Sequence, residues 1–268
     1  MFFLFGLVSL TGQVLLLREL LVIFHGTEIS VGIFFGSWLA GIGIGAAVGA
    51  WLVKAGKKEP LGVFLHCMVA LGFSVLFQIC LIRLLPMLFG IAPAELTPLH
   101  GILIVAPVGT LTSSFLTGFL FPVGCKTITQ AGGRAIGHLY AFEGLGGLIG
   151  GLAFTFMLVR YLPPLRIAAV LAAVVALAVM VYCMCFKVKA GMISSAGLLC
   201  VALALLSPLG DSFLQWTIRI RWESLHPGLV LLQSKSTPYQ QVEIGSLGKQ
   251  RSFFGNGKIV SSFPDPHA

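Results

Sequence analysis

The chain has 268 residues, of which 57% are hydrophobic and only 10% charged, whereas soluble domains typically carry about 25% charged residues. One soluble core of this length could not bury so much apolar surface, so the composition excludes an ordinary soluble protein and favours a membrane protein. The net charge of +8 is spread over short loops. This distribution is typical of membrane proteins and excludes the clustered basic face of a nucleic-acid-binding protein.

Long apolar segments occupy the first four-fifths of the chain, residues 1–208. A helix needs about 20 apolar residues to cross the hydrocarbon core of a bilayer, and the segments predict about seven such helices. They cover approximately residues 2–24, 29–53, 61–85, 100–127, 135–158, 165–186 and 192–206. The loops between them are short, so consecutive helices are expected to be antiparallel neighbours. The first segment has no basic start and contains Arg18 and Glu19, which favours a true helix over a cleavable signal peptide.

The sequence predicts neither a metal site nor catalytic residues in this chain. The six cysteines lie within or beside apolar segments, and none has the Cys-x-x-Cys spacing of a zinc site, so we interpret them as packing residues. The glycine-rich, nucleophile and zinc-protease motifs of soluble enzymes do not occur either.

The loops differ strongly in charge. Three alternate loops carry Lys54, Lys57, Lys58, Lys126, Arg134, Lys187 and Lys189, whereas the other loops carry Arg83, Arg160 and Arg166. Because cytoplasmic loops are rich in Lys and Arg, we expect a multi-pass protein of the cell (inner) membrane with loops 54–60, 126–134 and 187–191 in the cytoplasm. Seven crossings would then place the C-terminal tail outside.

The second and fifth helices are rich in glycine at a spacing of four residues. Such spacing lets helix backbones approach closely inside a bilayer. The registers are Gly32–Gly36, Gly41–Gly45–Gly49, Gly146–Gly150 and Gly147–Gly151. They predict static packing, although a sliding face of the kind transporters use, or contacts in a homo- or hetero-oligomer, are alternatives. The pairs formed by helices one and two and by helices four and five also resemble each other loosely, as in inverted repeats.

Three ionisable residues are predicted to lie at depth in the bilayer: Arg18, Glu19 and Glu143. A charge in hydrocarbon costs several kcal/mol unless it is paired, hydrated or able to reach the interface. Glu143 lies close to His138 and Tyr140, and Arg18 is a candidate partner for it. An ion- or proton-coupled site and a structural ion pair are both open interpretations.

The composition changes after residue 208. Residues 209–228 form a predicted interfacial connector whose alternating Trp, Ile and Arg residues fit a strand about as well as a helix. Residues 229–268 contain four short strand-like runs separated by turn residues, including Asn256-Gly257. They predict a small antiparallel β segment. The expected fold is therefore an all-α membrane bundle followed by this segment.

Three stretches resemble the membrane-bound spermidine-synthase-like proteins, in which a helical bundle precedes an aminopropyltransferase domain. The first helix ends Leu-Leu-Leu-Arg18-Glu19-Leu and precedes a glycine ladder. The second stretch runs from Gly137 to Gly147 and is similar to the family's Gly-x-Leu-Tyr-Ala motif. The third comprises residues 236–242 and 254–258 and looks like the β-hairpin lid of a spermidine synthase, with residues 262–265 resembling the step into its catalytic half.

The resemblance implies a lid over a site for decarboxylated S-adenosylmethionine and an amine, with Tyr239 and Gln240 contacting substrate. Val260 stands where the family often has Gln, which puts polyamine specificity in doubt. The nucleotide-binding catalytic domain has no counterpart here, so we expect this chain alone to bind no cofactor and catalyse no transfer. A separate or missing catalytic domain would complete the enzyme.

Two other functions remain open from the sequence. One is a transporter-like protein for a small solute, with a cation as one option and with Glu143 and Arg18 in its path. The other is a structural subunit of a membrane complex. A transferase that uses a cytoplasmic cofactor would need its tail in the cytoplasm, against the loop charges, and an eighth crossing within residues 61–127 would reconcile the two expectations.

Overall fold

The computed structural model describes residues 1–56, 59–90, 98–127 and 133–264. Within these residues the chain is mainly helical and ends in a four-stranded antiparallel sheet. The helices are α1 (Phe2–Ile23), α2 (Glu28–Ala55), α3 (Pro60–Phe89), α4 (Leu99–Lys126), α5 (Gly133–Ala153), α6 (Val159–Tyr161), α7 (Pro164–Phe186), α8 (Met192–Leu206) and α9 (Pro208–Leu225). A π-helical turn, Phe154–Leu158, joins α5 to α6. The strands are β1 (Val230–Ser236), β2 (Gln241–Leu247), β3 (Gln250–Gly255) and β4 (Lys258–Phe263).

Six helical spans in the described residues are long and apolar enough to cross a membrane, namely α1 to α4, the continuous α5–α6 segment, and α7. The pair α8–α9 is bent by 77° and could supply a seventh. With 15 residues, α8 alone spans about 22 Å, which is shorter than a hydrocarbon core of about 30 Å. The sequence expectation of a long-helix bundle followed by a small antiparallel sheet is confirmed.

The helix ends define two ends of the bundle. At the lysine end, the start of α1 meets the start of α3, with the Phe2 and Phe64 rings 5.3 Å apart. The ends of α2 and α4, with Lys54 and Lys126, and the end of α7, with Lys187, belong to the same end of the bundle. Lys57 and Lys58, and the side chain of Arg134, lie outside the described residues.

At the opposite end, which we call the sheet end, the end of α1 and the α1–α2 loop meet the C-terminal sheet. Residues 61–127 form only α3 and α4 over their described part, so the structure offers no extra crossing there. The sheet therefore lies at the end of the bundle away from Lys54, Lys126 and Lys187.

The tightest helix pairs are parallel. The expectation that chain neighbours would pack together holds for α3 with α4 and for α7 with α8, and it is wrong for α1 with α2. Helix α2 packs along α4, and α1 packs along α5, whereas α1 and α2 touch only slightly. A Cβ added at Gly45 would lie 2.0 Å from the carbonyl oxygen of Phe115, and one at Gly146 would lie 1.9 Å from that of Phe3. Only glycine permits backbones to approach this closely.

The other glycines of the two helices differ in their surroundings. Added Cβ atoms at Gly41, Gly49 and Gly150 would fall within 3 Å of an opposing helix, whereas one at Gly147 would make an ordinary 3.7 Å contact. At Gly151 the nearest atom would be 3.3 Å away. Among the described residues nothing lies within 4 Å of such an atom at Gly32 or Gly36, so that predicted register packs against nothing.

Helices α1–α3 and α4–α7 are related as the two halves of an inverted repeat, and each parallel pair takes one helix from each half. Helices α1 to α3 cross the bundle in alternating directions, and α4, α5 and α7 cross it in the opposite sequence of directions. Residues 3–12 read FLFGLVSLTG and residues 115–124 read FLTGFLFPVG, with Phe, Leu and both Gly in common. Residues 42–50, IGIGAAVGA, align in the same way with residues 143–151, EGLGGLIGG.

The packing follows the same equivalence. A Cβ added at Gly6 of α1 would lie 1.9 Å from the carbonyl oxygen of Glu143, and one at the equivalent Gly118 of α4 would lie 2.0 Å from that of Ile42. Gly6 and Gly118 are equivalent in the alignment, and so are Glu143 and Ile42. The two contacts are therefore the same contact, made once from each half. Inverted repeats of this kind are typical of secondary transporters.

Residues 209–225 are a helix, which decides between the two alternatives that the sequence left open. Its buried side chains recur at helical spacing, at Leu214, Ile218, Arg221, Trp222 and Leu225. Ser207 is the N-cap of α9, and Pro208 suits its first turn because the missing N–H would have no helical partner there. The strands follow as a meander in the order β1-β2-β3-β4.

Gly45→Ala is expected to destabilise the bundle by about 1–3 kcal/mol, because the new methyl group would force α2 away from the α4 backbone. Gly36→Ala is the matched control on the same helix. It should leave stability unchanged or raise it by up to about 1 kcal/mol, because alanine favours helix and its Cβ meets no described atom. The free energy of unfolding in detergent micelles, titrated with dodecyl sulfate, compares the two. Equal loss in both variants would contradict this packing.

Candidate functional site

A buried cluster of four charged side chains joins the sheet to the helices. Arg83 of α3 donates to both carboxylate oxygens of Glu19, from Nε at 2.9 Å and from Nη2 at 2.7 Å. Arg221 of α9 donates to Glu19 at 3.1 Å and to Glu243 of β2 at 2.6 Å. All four side chains are at most 3% exposed. We call these residues the ion cluster.

The ion cluster carries no net charge, since two carboxylates face two guanidinium groups. Removing charges from water costs several kcal/mol for each ion, and only close, hydrogen-bonded pairing compensates for that cost. Neighbouring polar groups satisfy further positions: Arg83 donates to the Thr217 hydroxyl at 2.8 Å, and the Ser234 hydroxyl donates to Glu243 at 3.0 Å. The Arg221 Nε is buried without a partner among the described residues.

The sequence interpretation recognised only Glu19 as a deeply placed member of this cluster. It counted Arg83 as a loop charge, whereas the structure places Arg83 inside α3 and 2% exposed. It treated Arg221 as part of an interfacial stretch and assigned nothing to Glu243. The signal that could have identified them is the charge of Glu19 itself, because a buried carboxylate requires cationic partners.

Arg18 also contacts the sheet. Its guanidinium donates to the Pro238 carbonyl at 2.9 Å and the Ser236 hydroxyl at 3.2 Å, and it also bonds the Thr237 carbonyl. The suggested pairing of Arg18 with Glu143 is wrong. Glu143 packs beside Gly6, more than three turns or about 18 Å along α1 from Arg18.

The β1–β2 and β3–β4 turns of the sheet both contact the C-terminal end of α1. A Cβ at Gly257, in the β3–β4 turn, would lie 2.3 Å from the carbonyl oxygen of Val22. Gly257 has φ of 77°, a left-handed conformation that glycine adopts at little cost. Asn256 accepts the backbone N–H of Gln241 at 2.9 Å and so ties this turn to the start of β2.

Tyr239 and Gln240, the predicted substrate contacts, lie in the β1–β2 turn. Gln240 packs on Gly255, where an added Cβ would fall 2.7 Å from its side-chain oxygen, and Tyr239 is 93% exposed. Both line a crevice with Arg18 and Asn256 whose volume is only about 20 Å³. Such a space suits a water molecule, and an amine or nucleoside substrate would not fit it.

His226 lies between two aromatic rings at the junction of α9 and β1. Its ring centroid is 4.4 Å from those of both Trp222 and Phe254, and its Nε2 has no partner among the described residues. Burial lowers the pKa of His226 to about 4, helped by the positive charges of His25 and Arg221, while Glu243 acts in the opposite direction. Burial and Lys258 also lower the pKa of His25 in the α1–α2 loop.

A second polar region lies at the interface of the two repeats. Four helices, α1, α2, α4 and α5, form a groove with a volume of about 370 Å³. Its polar lining residues are Ser9, Gln13, Thr117, Tyr140 and Glu143. We call this the repeat groove. His138 is exposed and does not line it.

The described part of the chain contains no cluster of His, Cys, Asp or Glu suited to a metal ion. Neither the ion cluster nor the repeat groove joins a nucleophile to a base. The chemistry visible at the ion cluster is charge pairing.

No protein-family model, curated protein or solved structure matches this chain. Its function is therefore inferred from its own residues and geometry.

Glu243→Gln is expected to weaken sheet docking by about 3–5 kcal/mol, because Arg221 would lose one of its two carboxylates while staying buried. Hydrogen exchange of β2 and β3 amides in lipid nanodiscs should accelerate accordingly.

Asp211→Asn is the matched control for this substitution. Asp211 pairs with Arg166, but their side chains are 56% and 31% exposed, so the loss should be about 0–1 kcal/mol. If the β2 and β3 amides exchanged as slowly in Glu243→Gln as in Asp211→Asn, the ion cluster would not be what holds the sheet on the bundle.

Docking of the sheet should also weaken as pH falls from about 6.5 to about 4. In this window His226 takes up a proton once the sheet undocks, whereas in the docked state it stays neutral, so docking becomes more favourable as pH rises. His226→Phe keeps an aromatic ring and should flatten this dependence in hydrogen exchange. His66→Gln, at an exposed site on α3, should retain the parent's dependence, and identical profiles for His226→Phe and the parent would refute the assignment.

Proposed function

We propose that this chain is a multi-pass membrane protein that forms the membrane-embedded part of a spermidine-synthase-like transferase. The bundle would fix a lid-like sheet at one face of the bilayer for a catalytic domain formed by residues other than these 268. The observation that carries the proposal is the ion cluster, because it joins α1, α3 and α9 to β2 through buried charges.

The outer surface of the bundle supports membrane embedding. Large apolar side chains are exposed along several helices, among them Leu39, Phe77, Leu111, Leu148 and Phe156. Water would solvate these faces poorly, whereas lipid tails suit them. The exposed lysines favour a cytoplasmic lysine end, with the sheet on the opposite side, whereas a transferase that uses a cytoplasmic cofactor requires the sheet in the cytoplasm. The vesicle experiment below decides between the two orientations.

The sheet supports the transferase resemblance in its arrangement. The residues similar to a spermidine synthase lid, Tyr239, Gln240 and Asn256, lie in two adjacent turns of one antiparallel meander. The edge strand β4 exposes apolar side chains, including Ile259, Val260 and Phe263. A catalytic domain would cover this edge, and substrate would approach Tyr239 from its exposed side.

A complementation assay tests the proposal. A lidless spermidine synthase catalytic domain is mixed with the chain in nanodiscs, and transfer of the aminopropyl group from decarboxylated S-adenosylmethionine to putrescine is followed by methylthioadenosine release. The chain alone should be inactive, and the mixture should exceed the lidless domain by at least tenfold. Gln240→Ala should reduce this gain, because its amide is the implied substrate contact.

Glu28→Gln, an exposed change at the start of α2, should leave the gain intact. Absence of any gain with a correctly folded chain would refute the transferase role. Sealed vesicles test orientation separately: if the sheet faces outward, the gain appears in right-side-out vesicles and is absent from inside-out ones. The reverse result would overturn the orientation alone.

A further inference from the structure

The repeat groove contains a carboxylate that the fold does not use for packing. Glu143 lines the groove, and its Oε2 atom is buried without a hydrogen-bond partner among the described residues. No Lys, Arg or His side chain of the described residues lines the groove. Glu143 as a whole is half-buried, but a carboxylate oxygen left without a partner among apolar helices is costly and is most often retained for a function.

The inverted repeat shows that the backbone of Glu143, and not its side chain, is needed for helix packing. Its backbone carbonyl makes the close contact with Gly6, and Ile42 makes the equivalent contact with Gly118 through its own backbone. Ile42 performs this packing without a polar side chain. The carboxylate of Glu143 is therefore not required by the helix crossing at which it lies.

The remaining lining suits a small organic cation. Ser9 donates to the Thr117 hydroxyl at 3.3 Å on the floor of the groove, and Gln13 offers an amide one turn of α1 further along. Tyr140, which is 70% exposed, offers an aromatic ring whose face attracts cations, and the buried Trp38 adds an apolar wall. The volume of about 370 Å³ falls within the range of small-molecule sites, about 300–1,000 Å³.

We propose that the repeat groove binds a small organic ammonium ion, with the Glu143 carboxylate as its counter-ion and the Trp38 and Tyr140 rings beside its apolar part. The groove lies where the two halves of the repeat meet, which is where transporters with inverted repeats place their substrates. None of the residues that line the groove belongs to the ion cluster or the sheet, so this proposal does not depend on the transferase proposal.

Equilibrium dialysis of radiolabelled 2-phenylethylamine against nanodiscs holding the full chain tests the site, with empty nanodiscs subtracted. 2-Phenylethanol has nearly the same shape and carries no charge. The amine should bind saturably and the alcohol should not. Glu143→Gln keeps the side-chain shape and removes the charge, so it should weaken amine binding by at least tenfold.

Glu28→Gln is the matched control, because Glu28 is an exposed carboxylate at the sheet end and lies outside the groove. The Glu28→Gln variant should bind the amine with the same affinity as the parent. Covalent labelling of carboxyl groups by dicyclohexylcarbodiimide, mapped by mass spectrometry, adds a readout on the unsubstituted chain. Glu143 should be labelled, 2-phenylethylamine should protect it, and Glu19, held by two arginines, should not react.

Equal binding of the alcohol and the amine by the parent chain would overturn the proposal, and so would unchanged amine affinity in a folded Glu143→Gln variant. The comparison of alcohol with amine uses only the parent, so it remains decisive if the variant fails to fold. Labelling of Glu143 that the amine does not reduce would also count against the site.

Discussion

The buried pairing of two carboxylates with two guanidinium groups constrains the rest of this structure. Glu19 lies on α1, Arg83 on α3, Arg221 on α9 and Glu243 on β2, so one cluster fixes four elements that are distant in the chain. None of the four charges could stay buried if a partner moved away, because an isolated ion in a low-dielectric interior is strongly unfavourable. The angle of α9 and the position of the sheet follow from this requirement.

Backbone contact between glycine-bearing helices is the second organising feature. Apolar helices gain little by associating in lipid, so close van der Waals packing has to hold them together. In this chain the contacts fall at aligned positions of two halves with opposite direction, such as Gly45 with Phe115 and Gly146 with Phe3. The repeat thus accounts for why α2 and α5 each have one packed side and one open side.

The sequence predicted the parts of the fold that depend on local pattern. Apolar length located the helices to within a few residues, and the Asn256-Gly257 turn located the last hairpin, because both signals depend on neighbouring residues. The sequence could not reveal the partners of Glu19, since Arg221 and Glu243 reach it only through tertiary contact. The Arg18–Glu143 suggestion failed for the same reason: residue type and depth do not encode which end of a helix faces which neighbour.

Helix α1 belongs to both functional regions. Ser9 and Gln13 line the repeat groove. On the following turns, Arg18 bonds the β1–β2 turn, and Glu19 is linked to the sheet through Arg221. A helix of this length behaves as a stiff rod whose side chains keep their relative directions. If a ligand in the repeat groove rotated α1 about its axis, Arg18 would move with it and displace the β1–β2 turn that it contacts. One helix therefore links the membrane interior to the sheet.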